Sequence, residues 1–152
     1  MATETNPVSI EFTLNGPAWI FCKVTVGEQS KTFKGVSDAA RPLDELLLAA
    51  FKILTGESYV TFSFDGEPAE TRWVMKLAWL ERPPRFGPNG EVVVAIRILR
   101  FLGGGHGLPD EAGEEQFSFD CTPEQFAHAA AKAVRNVWER YGQKGYDDAV
   151  RE

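Results

Sequence analysis

The stretch Tyr59-Val60-Thr61-Phe62-Ser63-Phe64-Asp65-Gly66-Glu67-Pro68-Ala69-Glu70-Thr71-Arg72-Trp73-Val74-Met75-Lys76-Leu77-Ala78-Trp79-Leu80 decides the fold class. Two alternating runs flank a turn. Val60, Phe62 and Phe64 share one face of the first run. Trp73, Met75, Leu77 and Trp79 share a face of the second, with Arg72, Val74, Lys76 and Ala78 on the other. A period of two marks a half-buried strand. Gly66-Glu67-Pro68 is turn chemistry, so the two strands are antiparallel neighbours.

The same logic extends to both sides. Upstream, Val8, Ile10, Phe12 and Leu14 alternate, and Asn15-Gly16 gives a hairpin signal before Pro17. Ile20, Cys22, Val24 and Val26 line a second strand, and 31–36 forms a short third one whose lysines suit an edge. Leu43, Leu46, Leu47, Ala50, Phe51 and Leu54 then recur at steps of three and four, which predicts an amphipathic helix. Ser37-Asp38 and Pro42 mark its start and Gly56 its end. Downstream, 81–90 is a proline- and glycine-rich loop, 91–101 is a strand, and 116–120 is a short strand around Phe117 and Phe119. Thr122-Pro123-Glu124-Gln125 opens a last helix, whose buried stripe is Phe126, Ala130, Ala133, Val137 and Tyr141 and which stops at Gly142.

These readings predict one α+β domain over 1–152, in the order βββαββββα. A mainly antiparallel sheet of six to seven strands is expected, with two helices on one face. Residues 1–6 are expected to form a flexible tail and 103–115 a mobile, acidic, glycine-rich loop.

Composition excludes several classes. With 152 residues, 43 % hydrophobic and 25 % charged, the chain can bury its own core. No apolar run approaches the ~18 residues of a membrane helix. A formal charge of −6 argues against phosphate-driven binding of nucleic acid. The first residues show neither the basic nor the apolar part of a secretory signal, so the expected location is cytoplasmic. Cys22 and Cys121 read as buried structural thiols. His106 and His128 have no companion at ligand spacing, so no metal and no cofactor is expected. Gly103-Gly104-Gly105 lacks the Lys-Ser or Lys-Thr of a phosphate loop, and no Gly-x-Ser-x-Gly elbow accompanies Gly103-Gly104-Gly105-His106.

The charge is unevenly spread. Residues 103–122 hold five acidic groups, Asp110, Glu111, Glu114, Glu115 and Asp120, and no Lys or Arg. Such a run reads either as a solvated loop or as an anionic docking surface for a basic partner. In the docking reading an aromatic anchor supplies affinity, and Trp79, ending a strand before a proline-rich loop, is the candidate among Trp19, Trp73, Trp79 and Trp138. A secondary site is Asp65, Glu67, Glu70 and Arg72, where carboxylates cluster about the Gly-Pro turn. The conformational account of that cluster is that Asp65 binds the turn backbone and Arg72 pairs with Glu70 or Glu67.

The segment Phe64-Asp65-Gly66-Glu67-Pro68-Ala69-Glu70-Thr71-Arg72-Trp73 resembles a hairpin of small bacterial proteins of unassigned function. The likeness spans roughly residues 40–102 and the last helix. In size, acidity and α+β pattern the chain also resembles the immunity proteins of bacterial toxin systems. That resemblance implies a non-enzymatic inhibitor that neutralises a basic toxin or enzyme by occluding its active surface. Two other readings stand beside it. One is a small-molecule-binding protein or enzyme with a pocket between sheet and helices, faced by Arg72 or Arg97 with Tyr59. The other is an oligomeric structural or adaptor module, monomer or homodimer, in which 91–101 pairs across a dimer if it lies at an edge.

Overall fold

A computed structural model describes residues 6–14, 20–36, 40–66, 69–103 and 107–150. Strands β1 (Val8–Leu14), β2 (Ile20–Val26) and β3 (Gln29–Val36) form a three-stranded antiparallel sheet in that order. Strands β4 (Tyr59–Gly66), β5 (Ala69–Leu77), β6 (Val94–Phe101) and β7 (Glu114–Cys121) form a four-stranded antiparallel sheet, again in chain order. Helix α1 (Ala40–Leu54) joins the sheets, and helix α2 (Pro123–Val150) closes the chain.

The α+β class and the order βββαββββα are therefore as expected, while the expected single sheet is two. The reason lies in the connections. Every link within a sheet joins antiparallel neighbours, whereas β3 reaches β4 only through α1. The sheets meet through side chains instead: Phe12 of β1 packs edge-on against Phe64 of β4, ring centroids 6.2 Å apart. Helix α1 packs on α2 and β4, and α2 also on β1. Their stripes and the inward residues of both sheets make one core. At its centre Trp73 stacks on Phe62 at 5.3 Å and meets the Phe126 edge at 6.4 Å.

Local chemistry sets the element ends. The Thr122 hydroxyl accepts from the Gln125 N–H at 3.1 Å, and the Gln125 side chain accepts from the Thr122 N–H at 2.8 Å, a reciprocal capping box. Gly56, at φ +96°, closes α1: its N–H reaches the Ile53 carbonyl and the Glu57 N–H reaches Lys52, the Schellman pattern. Gly142, at φ +70°, interrupts the last helix where the sequence places its stop. The strand expected to run through Leu80 ends at Leu77, and Ala78–Leu80 form a 3-10 turn. The hairpin signal at Asn15-Gly16, together with Trp19, Glu67 and His106, lies outside the described residues.

Two placements differ from expectation. Strand β6 lies between β5 and β7, so it has no free edge with which to pair a second copy. In α1 the buried stripe is Leu43, Leu46, Ala49, Ala50 and Ile53, while Leu47, Leu48, Phe51 and Leu54 are exposed.

Candidate functional site: an acidic edge latched to the sheet

The four-stranded sheet has two faces. Val60, Phe62, Trp73, Met75, Ile96 and Ile98 point into the core. Alternation sends Tyr59, Ser63, Glu70, Arg72, Val74, Arg97, Leu99 and Phe101 to the other face. Arg72 and Tyr59 thus face away from the helices, and the pocket expected between sheet and helices is not where they meet.

They meet beneath residues 107–113. Val74, Leu99 and Phe101 are buried as a small separate cluster on this outer face. Gly113 lies on it so closely that an added Cβ would come 2.7 Å from the Phe101 ring and 2.9 Å from Leu99. The strap is fixed by charge. Arg72 Nη1 donates to the Leu108 carbonyl and to Asp110 Oδ1, both at 2.9 Å. The Tyr59 hydroxyl donates to Asp110 Oδ2. Under the strap, Glu70 Oε2 accepts from Ser63 Oγ at 2.5 Å and from Arg72 Nε at 3.4 Å. The Arg72 guanidinium also lies 4.3 Å from the centre of the Phe101 ring.

The Arg72 side chain is 12 % exposed, Glu70 11 % and Asp110 20 %. Here a charge cannot be left without its partner, because its lost hydration must be replaced. Burial, then the hydrogen bond to the Asp110 carboxylate, pushes the Tyr59 hydroxyl up to about 12. Of the secondary cluster, the structure brings Glu70 and Arg72 together as the sequence suggests; the Asp65 side chain and Glu67 are outside what is described.

The rest of the acidic run belongs to β7. Glu114 and Glu115 begin that strand and Asp120 lies near its end. Arg97 Nε binds Glu115 at 2.9 Å, an exposed pair. Arg85, from the loop after β5, holds Asp120 through both terminal nitrogens at 2.6 and 3.2 Å and also binds Glu81. These hydrogen bonds, Asp120 foremost, raise the Arg85 pKa further. Three of the five acidic groups are thus engaged by arginines that lie elsewhere in the chain. Glu111 and Glu114 are exposed and form no ion pair with a described residue; Glu114 accepts a hydrogen bond from Gln116. Trp79 is 40 % exposed.

The described residues line open cavities. One of about 510 Å³ lies between the β2–β3 turn and residues 118–120 of β7, and one of about 290 Å³ lies between β1 and α2. No group of three His, Cys, Asp or Glu side chains among the described residues is arranged to hold a metal. Cys22 and Cys121 are free and buried, and burial raises both thiols, Cys121 to about 12.

Sequence reasoning missed the α1 face. Leu47, Leu48, Phe51 and Leu54 stand exposed along one side of the helix, Phe51 at 62 %. The signal was present: Leu46-Leu47-Leu48 in succession cannot share one helix stripe. Comparison with known protein families, curated proteins and solved structures finds no match to this chain.

Proposed function

We propose that the protein is a non-enzymatic protein-binding module, an inhibitor of immunity type that neutralises a basic protein by covering its active surface. The observation that carries this reading is the anchoring of the acidic run. Arg72 and Arg85 tie Asp110 and Asp120 to other parts of the chain, Arg97 adds an exposed pair with Glu115, and Glu111 and Glu114 are turned to solvent. A fixed charge loses little conformational freedom on binding, and negative charge speeds encounter with a positive surface. Trp79 supplies a half-exposed aromatic anchor of the kind that concentrates binding energy.

The test is affinity capture from the native lysate at low and moderate salt, with the wild-type chain and with a Glu111→Lys/Glu114→Lys variant. The reading expects one basic protein, recovered in near-equal amount by the wild type and lost by the variant. Its activity should fall on addition of the purified wild-type chain. Equal capture by both chains, or a captured protein whose activity is unaffected, contradicts it.

The exposed α1 face favours a second reading, an apolar protein contact through Leu47, Leu48, Phe51 and Leu54. Contiguous apolar patches of a few hundred Å², on the order of 300–600 Å² for the largest on a monomer, commonly mark interaction sites. A Phe51→Ser variant that loses the captured protein while Glu111→Lys/Glu114→Lys keeps it would select this surface instead.

A further inference from the structure

Strand β7 is the outer strand of the four-stranded sheet, and among the described residues it pairs only with β6. Alternate backbone N–H and C=O groups along its other side therefore have no ladder partner among the described residues. The register shift opposite Ile98 and Leu99 bends the ladder near Gln116, leaving 117–121 as the regular run. The cavity of about 510 Å³ opens against this run, walled by Ser118, Phe119 and Asp120 on one side and by the Gly27–Gln29 turn on the other. An open strand edge beside a cavity is the arrangement used in strand addition, where backbone bonds give affinity and a pocket selects a side chain.

Charge decides the occupant. Glu114, Glu115 and Asp120 lie on β7, and Glu28 lies across the cavity. Glu28 and Glu114 form no ion pair with a described residue. A second copy is disfavoured: antiparallel pairing of β7 with itself about Phe117 sets Asp120 against Glu114, and pairing about the Phe117–Ser118 midpoint sets it against Glu115, and like charges facing each other across a ladder destabilise it. With Glu115 held by Arg97 and Asp120 by Arg85, it is Glu28 and Glu114 that favour lysine or arginine on an incoming strand.

We propose that β7 accepts an extended, lysine- or arginine-rich segment of a protein partner as a fifth strand, one basic side chain entering the cavity beside Glu28. This rests on the acidic-edge reading above and names the element of the partner that is recognised.

The test uses the full chain and three capped heptapeptides: alternating Lys and Val, the same peptide with its central Val replaced by Pro, and the same peptide with Glu for Lys. Binding is followed by NMR titration and amide hydrogen exchange. The expected result is that the Lys-Val peptide shifts and protects amides within 117–121. The Pro peptide, equal in charge but unable to complete the ladder, should bind at least tenfold more weakly, and the Glu peptide should not bind. A Glu28→Gln/Glu114→Gln variant should weaken the Lys-Val peptide several-fold. Equal binding of the Lys-Val and Pro peptides overturns strand addition while leaving the acidic-edge reading standing. No binding of either lysine peptide at low salt overturns both. Concentration-dependent protection of 117–121 without peptide assigns the edge to a second copy and overturns the proposal.

Discussion

The acidic run at 107–121 and helix α1 make opposite use of similar means. The run has the composition of a loose, solvated segment, yet three of its five acidic groups are engaged elsewhere in the chain: Asp110 on Arg72 and Tyr59, Glu115 on Arg97, Asp120 on Arg85. Helix α1 has the periodicity of a core helix, yet Leu47, Leu48, Phe51 and Leu54 remain in solvent. The contrast teaches that a charge run is not surface charge until its partners are known, and that apolar spacing is not burial until the facing layer is known.

The sharpest way to break the comparison is at Arg72. Arg72→Ala removes the guanidinium that binds both Glu70 and Asp110 and frees the strap, and removing one partner of a buried pair costs about 3–5 kcal/mol. Urea unfolding measures this; a loss below about 0.5 kcal/mol, the scale of ordinary surface changes, would make the strap a surface contact. Next comes Gly113→Ala. Its methyl group meets Leu99 Cβ and the Phe101 ring inside contact distance, and overpacking of this kind costs about 1–3 kcal/mol. An unchanged midpoint would show that the strap lifts easily from the sheet.

The pH dependence isolates Tyr59. Its folded pKa, about 12, lies above the ordinary 10.0, so its contribution is fully present below pH 10 and is lost as pH rises toward 12. Stability of the wild type should fall more steeply across that window than that of Tyr59→Phe, by a modest margin because the ring is half-exposed. Parallel curves would remove the phenol from the latch. The smallest effect on stability is expected at Phe51. Phe51→Ser should change unfolding free energy by no more than about 0.5 kcal/mol, while reducing binding of an apolar fluorescent dye to the native protein. A large destabilisation would mean that the α1 face is packed in solution.

What was legible in the sequence was local. The Thr122–Gln125 capping box, the Gly56 stop, the Gly142 interruption and the edge position of β3 all follow from residues within a few positions of each other. Trp79 is half-exposed for a reason other than the expected one: it does not end a strand but lies in the 3-10 turn that follows Leu77. The partners of the acidic run were not legible. Arg72 and Asp110 are 38 residues apart, and Arg85 and Asp120 are 35. Such pairs depend on strand order and on which face each side chain takes, and alternation gives the face but not the order. The separation into two sheets was hidden for the same reason. For α1 the periodicity fitted two adjacent stripes, and only the position of α2 and β4 selects the one that is buried.

The most direct test of the account is amide hydrogen exchange across 107–121, in the wild type and in Asp110→Ala. The wild type should protect Ala112 and Gly113, whose N–H groups bond to Pro109 and Asp110, and the residues of β7 that pair with β6. In Asp110→Ala the protection at 112–113 should collapse while that of β6 and β7 persists. Exchange of 107–113 in the wild type at the rate of an unfolded chain would contradict the account: the acidic run would then be a free loop, and the built edge on which the proposed function rests would not exist.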